Sequence, residues 1–263
     1  MADGRSTPHS ADLAATGGYN VELFDRLAGA EDQSFWFRAR NRLIVELVGQ
    51  VSRPGDRFLE LGCGTGYVLQ AVVAACGVRA VGADPFSEAL AYARQRVPHA
   101  QFLQVDALND WTEQFDVVGA FDVLEHIEDD LAALRSLRAA VRPGGHVLVT
   151  VPQHPWLWSA FDEAAEHVRR YRRADLLERM RQAGLEPVRA TSFVVSLLPL
   201  MALSRMRRRL RTRNYDPIDE LLLPPRVDRV LERMLDLERW VIARGADLPV
   251  GGSLVVVARR DRH

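Results

Sequence analysis

Lysine is missing from this chain altogether: all 34 of its Lys and Arg positions are arginine. That absence excludes imine-forming lysine chemistry and the lysine of a phosphate-binding loop, and leaves fork-shaped guanidinium contacts wherever a cation is needed. Cysteine is scarce too. Cys63 and Cys76 are the only two, too few for a disulfide framework or a four-thiolate zinc site, and a reducing, cytoplasmic setting is expected. Neither sign of charge dominates, because 35 acidic residues leave a net charge of -1. A general nucleic-acid surface is therefore not expected. No apolar run approaches the ~20 residues of a membrane span, and Met1-Ala2-Asp3-Gly4-Arg5-Ser6-Thr7-Pro8 lacks an apolar signal core. A soluble chain without stable membrane insertion is expected.

Against these absences stand 263 residues, 48% of them hydrophobic, enough for a full core. Residues 1–18 are rich in Gly, Ala, Ser, Thr and Asp without periodicity, and read as a disordered tail. From Tyr19 to Leu27 and from Gln33 to Val51 the apolar spacing is helical, with Phe35, Trp36, Leu43, Ile44 and Leu47 facing inward. After the turn Arg53-Pro54-Gly55-Asp56 strands and helices alternate: strand 58–61, helix 67–76, strand 79–83, helix 86–96, strands 101–105 and 115–121, helix 129–140, strand 146–151. Helix 174–183 then leads to strand 187–195, helix 226–243 and a last strand 253–258. Such alternation predicts a parallel sheet with helices on both faces and ligands at the carboxyl ends of its strands.

The stretch Phe58-Leu59-Glu60-Leu61-Gly62-Cys63-Gly64-Thr65-Gly66-Tyr67 joins the first strand to a helix. A dinucleotide fingerprint, G-x-G-x-x-G, would need glycine where Tyr67 stands. Glu60 at the strand end would also repel a pyrophosphate and attract a cation. The spacing found resembles motif I, E/D-x-G-x-G-x-G, of the class I S-adenosylmethionine (SAM) methyltransferases. The resemblance implies SAM as cofactor, its amino-acid end held by Glu60, Gly62, Gly64 and Gly66. It also implies that Asp84, followed by Pro85, accepts the ribose hydroxyls, and that Asp106 and Ala107 meet the adenine. A similar aromatic-Arg segment precedes motif I in bacterial small-molecule methyltransferases, which makes Arg38 or Arg40 the candidate for the SAM carboxylate. With these motifs the expected architecture is α/β: a doubly wound Rossmann-like sheet of seven strands, the last antiparallel, with N-terminal helices and a helical insertion 196–250 between the last two strands. Residues 19–263 would then form a single domain.

Asp122-Val123-Leu124-Glu125-His126-Ile127 resembles the corresponding segment of ubiquinone-pathway methyltransferases. There Phe121 and Leu124 would line the cofactor and His126 would face the methyl group. Asp122, Glu125 and His126 also match a triad reported as metal-binding in some ubiquinone O-methyltransferases and in small-RNA 3′-end methyltransferases. A turn with Asp, Glu and His is more often a capping cluster, so no metal is assigned.

Residues 154–173 overhang the methyl group in this topology and are expected to form a substrate cap. The pattern W-L-W-S-x-x-D-E-A-x-x-H-x-R-R-Y recurs in bacterial SAM methyltransferases. If helical, the segment places Glu163, His167 and Tyr171 on one face. Trp158 would wall the acceptor, with Arg169, Arg170 and Arg173 as an anion clamp, and His154, His167, Tyr171 and Glu163 join His126 as candidate bases. The expected acceptor is a small molecule with an apolar body and an optional anionic head, of natural-product, quinone or prenyl-diphosphate type, as in secondary metabolism. The chain is expected to be a monomer, or a homodimer through the helical insertion. Two rival readings are an NAD-dependent oxidoreductase and a SAM-binding regulatory protein without catalysis.

Overall fold

A computed structural model of the chain describes residues 21–208 and 222–262. The whole 1–18 tail and part of the 196–250 insertion therefore lie outside the described residues. Helices α1 (Val21–Glu31) and α2 (Phe35–Val51) precede the sheet. Then come β1 (Arg57–Leu61), α3 (Tyr67–Cys76), β2 (Arg79–Asp84), α4 (Ser87–Arg96), β3 (Gln101–Gln104) and β4 (Phe115–Phe121). A 3-10 turn, Leu124–His126, leads to α5 (Asp130–Ala140) and β5 (Val141–Pro152), and another, Pro155–Leu157, follows β5. The rest is α6 (Ala160–Ala164), α7 (Arg173–Gln182), β6 (Leu185–Phe193), α8 (Leu198–Arg208), α9 (Pro225–Ala243) and β7 (Ser253–Arg260).

The seven strands form one sheet in the order β3-β2-β1-β4-β5-β7-β6, with β7 antiparallel to both of its neighbours. Alternate residues of each strand feed opposite faces. Leu59, Leu61, Val118, Ala120, Val147 and Val149 pack with α5 and α7 on one side. Phe58, Ala80, Val117, Leu148, Val255 and Val257 pack with α2, α3 and α9 on the other. Strand order reverses beside β1: Leu61 lies level with Ala83 of β2 and with Ala120 of β4. The residues just beyond these three strands therefore converge on one edge of the sheet, which positions the site.

Strand β6 sits two residues earlier than expected and α1 runs on to Glu31 rather than Leu27; two larger departures have a clear cause. Strand β5 starts at Val141 because Val141 pairs with Phe115 before the Pro-Gly-Gly irregularity, and pairing resumes at His146 with Val117. Residues 160–171 do not form one helix. Helix α6 stops at Ala164, and Glu166 takes a left-handed φ of 55° that no helix can carry. The expected face of Glu163, His167 and Tyr171 is thus broken up.

The insertion packs back through α9, which lies against α2. Asp228 of α9 accepts the Phe35 N–H at 2.7 Å and so caps the α2 N-terminus. Arg38 is ion-paired with Asp228 and, at 2.6 Å, with Glu232. Arg42 reaches Glu232 at 2.7 Å and Asp236 at 3.0 Å. Glu238 accepts N–H bonds from Val195 (2.9 Å) and Ser196 (2.6 Å), tying α9 to the exit of β6.

Candidate active site

A cavity of about 1330 Å³ opens at this sheet edge, bounded by the turn after β1, the ends of β2, β3 and β4, and both insertion helices. The turn requires glycine at its first position: Gly62 has φ 69°, and a Cβ there would collide with Val123. Gly64 donates its N–H to Asp84 Oδ2 at 2.8 Å, and Phe86 donates to Asp84 Oδ1 at 3.0 Å. Asp84 is 5% exposed, and burial raises its carboxyl to about 6 despite those two donors. Each oxygen keeps a further lone pair for a ligand.

Glu60 is buried and its Oε2 has no hydrogen-bond partner. Burial pushes its carboxyl well up; Arg40 acts against that, while Asp84 and Glu31 add to it. Arg40 lines the same cavity, 2.6 Å from Asp122 Oδ2, with its Nε unpartnered. Asp122 also accepts Thr150 Oγ1 at 2.9 Å from a left-handed φ of 56°. One cavity thus holds an unsatisfied carboxylate oxygen and an unsatisfied guanidinium nitrogen, complementary to the two ends of a zwitterionic amino acid. Pro85, Asp106, Ala107 and Phe121 line it as well.

The opposite chemistry gathers around the 3-10 turn. Glu125 is fully buried, and neither of its oxygens has a hydrogen-bond partner. Burial and then Asp122 push its carboxyl well up. His126 and His167 meet edge to face with ring centroids 4.8 Å apart. Burial, and then His167, lower His126 to about 4, so its imidazole is neutral at physiological pH. His167 is held by Asp162, whose Oδ1 lies 3.0 Å from its Nδ1. Burial works to raise Asp162, but hydrogen bonds from His167 and Arg170 prevail and lower it to about 2. Glu125, His126 and His167 each offer an atom within 4.8 Å of the others, a set that could hold a metal ion. Asp122, the remaining member of the triad seen in the sequence, is engaged with Arg40 and Thr150 instead.

Several expected site residues are placed elsewhere. Arg38 is turned toward α9 and its acids, so only Arg40 of that pair reaches the cavity. Gly66 does not line it; the close approach of α4, with Ala93 Cα 2.9 Å from where a Cβ would sit, is what requires glycine there. Leu124 is fully buried in the core beneath α5. Tyr171 is no base: its hydroxyl donates to Asp130 Oδ2 at 2.8 Å and lies 3.1 Å from Leu124 O, and burial pushes it up. Glu163 and Trp158 are exposed and outside the lining, and the half-buried His154, beside Trp156 at 5.5 Å, is outside it too. The arginine clamp is dispersed as well. Arg169 binds Asp130 at 3.0 Å, Arg173 binds the carbonyls of Leu248 and Ala190, and only Arg170 lines the cavity, bonded to Asp162 at 2.6 Å. Sequence reasoning missed Glu125 as a cavity residue, although it stands in the quoted D-V-L-E-H-I segment. It missed the wall supplied by Leu197, Leu200, Met201, Leu223 and Leu231 of the insertion. Their apolar spacing was the available signal.

Fold and site together define a Rossmann-like methyltransferase architecture. A family profile described as a methyltransferase domain matches residues 29–190, well over half of the chain, and the chain belongs to that family. That family is one of methyltransferases, not of dinucleotide-dependent oxidoreductases. A ubiquinone biosynthesis O-methyltransferase of Ruegeria pomeroyi is 34% identical over 160 residues, covering 53% of this chain and 64% of that protein. A probable S-adenosylmethionine-dependent methyltransferase of Mycolicibacterium smegmatis is 29% identical over 167 residues, covering 61% of this chain and 63% of its own. The chain spans less than two thirds of the length of the curated relatives it matches first. Phosphoethanolamine N-methyltransferase 2 of Haemonchus contortus, solved with S-adenosyl-L-methionine, shares the fold at a TM-score of 0.63 and 18% identity, covering 97% of this chain and 60% of that one.

Proposed function

We propose that this chain methylates an O–H or N–H group on a small, largely apolar molecule. The observation that supports this most is the composition of one cavity. It contains the orphaned Glu60 Oε2 and Arg40 Nε, the neutral His126, and an apolar wall from α8 and α9. Its volume of about 1330 Å³ exceeds the roughly 300–1,000 Å³ of a one-ligand pocket and leaves room for an acceptor beside the cofactor.

SAM supplies an activated methyl group on a sulfonium. Glu60 takes its ammonium, Arg40 its carboxylate and Asp84 its ribose hydroxyls, while Asp106 and Ala107 meet the adenine. An acceptor lone pair forms the new bond to the methyl carbon as the C–S bond breaks, and the bonding electrons remain on sulfur. The acceptor proton would pass to His126, which burial keeps unprotonated at neutral pH. Phe35, Trp36 and the insertion leucines exclude water from the reacting pair. Domain organisation follows from the same reading: 196–250 completes the acceptor pocket, and 154–173 contributes Phe161, Ala165, Glu166, His167 and Arg170 to its rim.

The test is methyl-labelled SAM with a panel of catechols and amines graded by apolar tail length. Transfer that improves with the tail supports the proposal. Tight SAM binding with no transfer to any acceptor would favour the regulatory alternative.

A further inference from the structure

Helix α9 is apolar on two sides. Its inner side buries Leu235 and Ile242. On its outer side Val227 is 45% exposed, Val230 55%, Met234 38%, Leu237 63% and Trp240 48%. Steps of three and four residues place these on one continuous stripe. A helix that simply faces water carries polar residues there.

The charges of α9 are sorted as well. Its acids are used inward: Asp228 and Glu238 are buried, and Glu232 and Asp236 are paired with Arg38 and Arg42. The outward positions beside the stripe are Arg226, Arg229, Arg233 and Arg244, all exposed. Among the described residues no carboxylate is paired with these four. Leu200 (57% exposed) and Leu203 (42%) extend the apolar surface onto α8.

We infer that this face docks on an anionic lipid bilayer, with the apolar stripe in the acyl boundary and the arginines at the headgroups. Charge decides the occupant. A second copy would bring arginine against arginine, with no free acid among the described residues of the same face to answer it. An anionic bilayer offers an apolar interior and a negative rim together. The surface is also continuous with the cavity, because Leu200 of α8 and Leu231 of α9 line that cavity from the same two helices. An acceptor dissolved in the bilayer would therefore reach the site without crossing water, a corollary that rests on the acceptor class proposed above. Docking would be peripheral, since no helix among the described residues is long and apolar enough to cross a membrane.

The experiment is co-sedimentation of the full chain with phosphatidylglycerol-containing vesicles and with vesicles of phosphatidylcholine alone, at low and high salt and without SAM. Binding to the anionic vesicles only, weakened by salt, is expected. Leu237→Glu should abolish it, and Arg233→Glu should weaken it by about fivefold or more, the worth of one arginine at such a surface. Neither residue lines the cavity, so SAM affinity measured by calorimetry should be unchanged in both variants, which also shows that they fold. No binding to either vesicle, or equal binding to both, would overturn the inference. So would a concentration-dependent dimer that Leu237→Glu dissociates while vesicles are ignored. Vesicle binding in a protein that transfers no methyl group would leave the docking in place and remove only the reading of its acceptor.

Discussion

Replacing Asp84 with asparagine tests the cofactor assignment at its most constrained point. Both carboxylate oxygens already accept a backbone N–H, from Gly64 at 2.8 Å and from Phe86 at 3.0 Å. Whichever way an amide is turned, its NH2 meets one of those donors, so one bond is lost and the glycine turn is pushed outward. One of two ribose hydroxyls also loses a charged acceptor. The backbone bond is lost in free and bound protein alike and so lowers stability, whereas the ribose bond exists only in the complex; at about 1.5–3 kcal/mol for a hydrogen bond to a charged group, its loss predicts a rise in Kd of about ten- to 150-fold. Asp84→Ala should weaken binding at least as much. The wild type supplies an independent arm through pH. Burial sets the Asp84 carboxyl at about 6, and only the ionised form accepts both hydroxyls. Affinity should be level above pH 7 and fall as pH drops through 6, to roughly a tenth at pH 5. Titration calorimetry with SAM reads both arms. A Kd within twofold of wild type in Asp84→Asn would refute the assignment, and so would a pH dependence that persists in Asp84→Asn unchanged.

Other predictions concern different parts of the same site. Glu60 holds a raised pKa in a buried setting, and an arriving ammonium must lower it. SAM binding should therefore be accompanied by proton release from Glu60; calorimetry in buffers of different ionisation enthalpy should show it, and Glu60→Gln should diminish it. His126→Ala should reduce kcat by about a hundredfold, the lower range for a general base, with SAM affinity unchanged. Because His126 titrates at about 4, wild-type kcat at saturating SAM should stay level as pH falls through 6.5 and decline only toward 4; an inflection near 6.5 that disappears in His126→Ala would contradict this. Glu238→Ala, away from the cavity, strands the Val195 and Ser196 N–H groups. A loss of about 2–4 kcal/mol, or roughly 4–16 °C in Tm by thermal melt, is expected with SAM affinity retained; an unchanged Tm would mean the insertion is not anchored there.

How much of this was legible depended on whether a residue's partner lay near it in the chain. The acids at strand ends were readable because each closes an apolar run, and the spacing of Gly62, Gly64 and Gly66 set the turn. Arg38 and Arg40 could not be separated. Two residues apart on a helix they point in nearly opposite directions, and what selects between them is Asp228 and Glu232, some 190 residues away. Leu124 was misplaced for a similar reason: the 3-10 turn buries the leucine under α5 and leaves its neighbour Glu125 in the cavity wall. The helical spacing of Glu163, His167 and Tyr171 was real in the sequence. It failed because Asp162, fully buried, gathers Ser159, His167 and Arg170 around itself and stops the helix after one turn.

A chain without lysine also offers a way to sort its buried acids by what holds them. Glu31 is paired with Arg96, Asp130 with Arg169 and Arg179, Asp162 with Arg170, and Asp228 with Arg38. Glu238 has two backbone N–H groups and lies outside the cavity. Glu60, Asp84 and Glu125 are the buried acids with no arginine hydrogen-bonded to them that line the cavity, and burial raises all three. A buried carboxylate that no guanidinium answers costs stability unless it keeps a proton or meets a ligand. Each of the three is therefore a place where the fold alone is incomplete. A cationic, hydroxyl-rich cofactor answers the first two, and an acceptor proton or a metal ion would answer the third. Arginine forks elsewhere in the chain serve packing, which is why abundant arginine near the cap misled the search for an anion clamp, while the missing arginines mark the site.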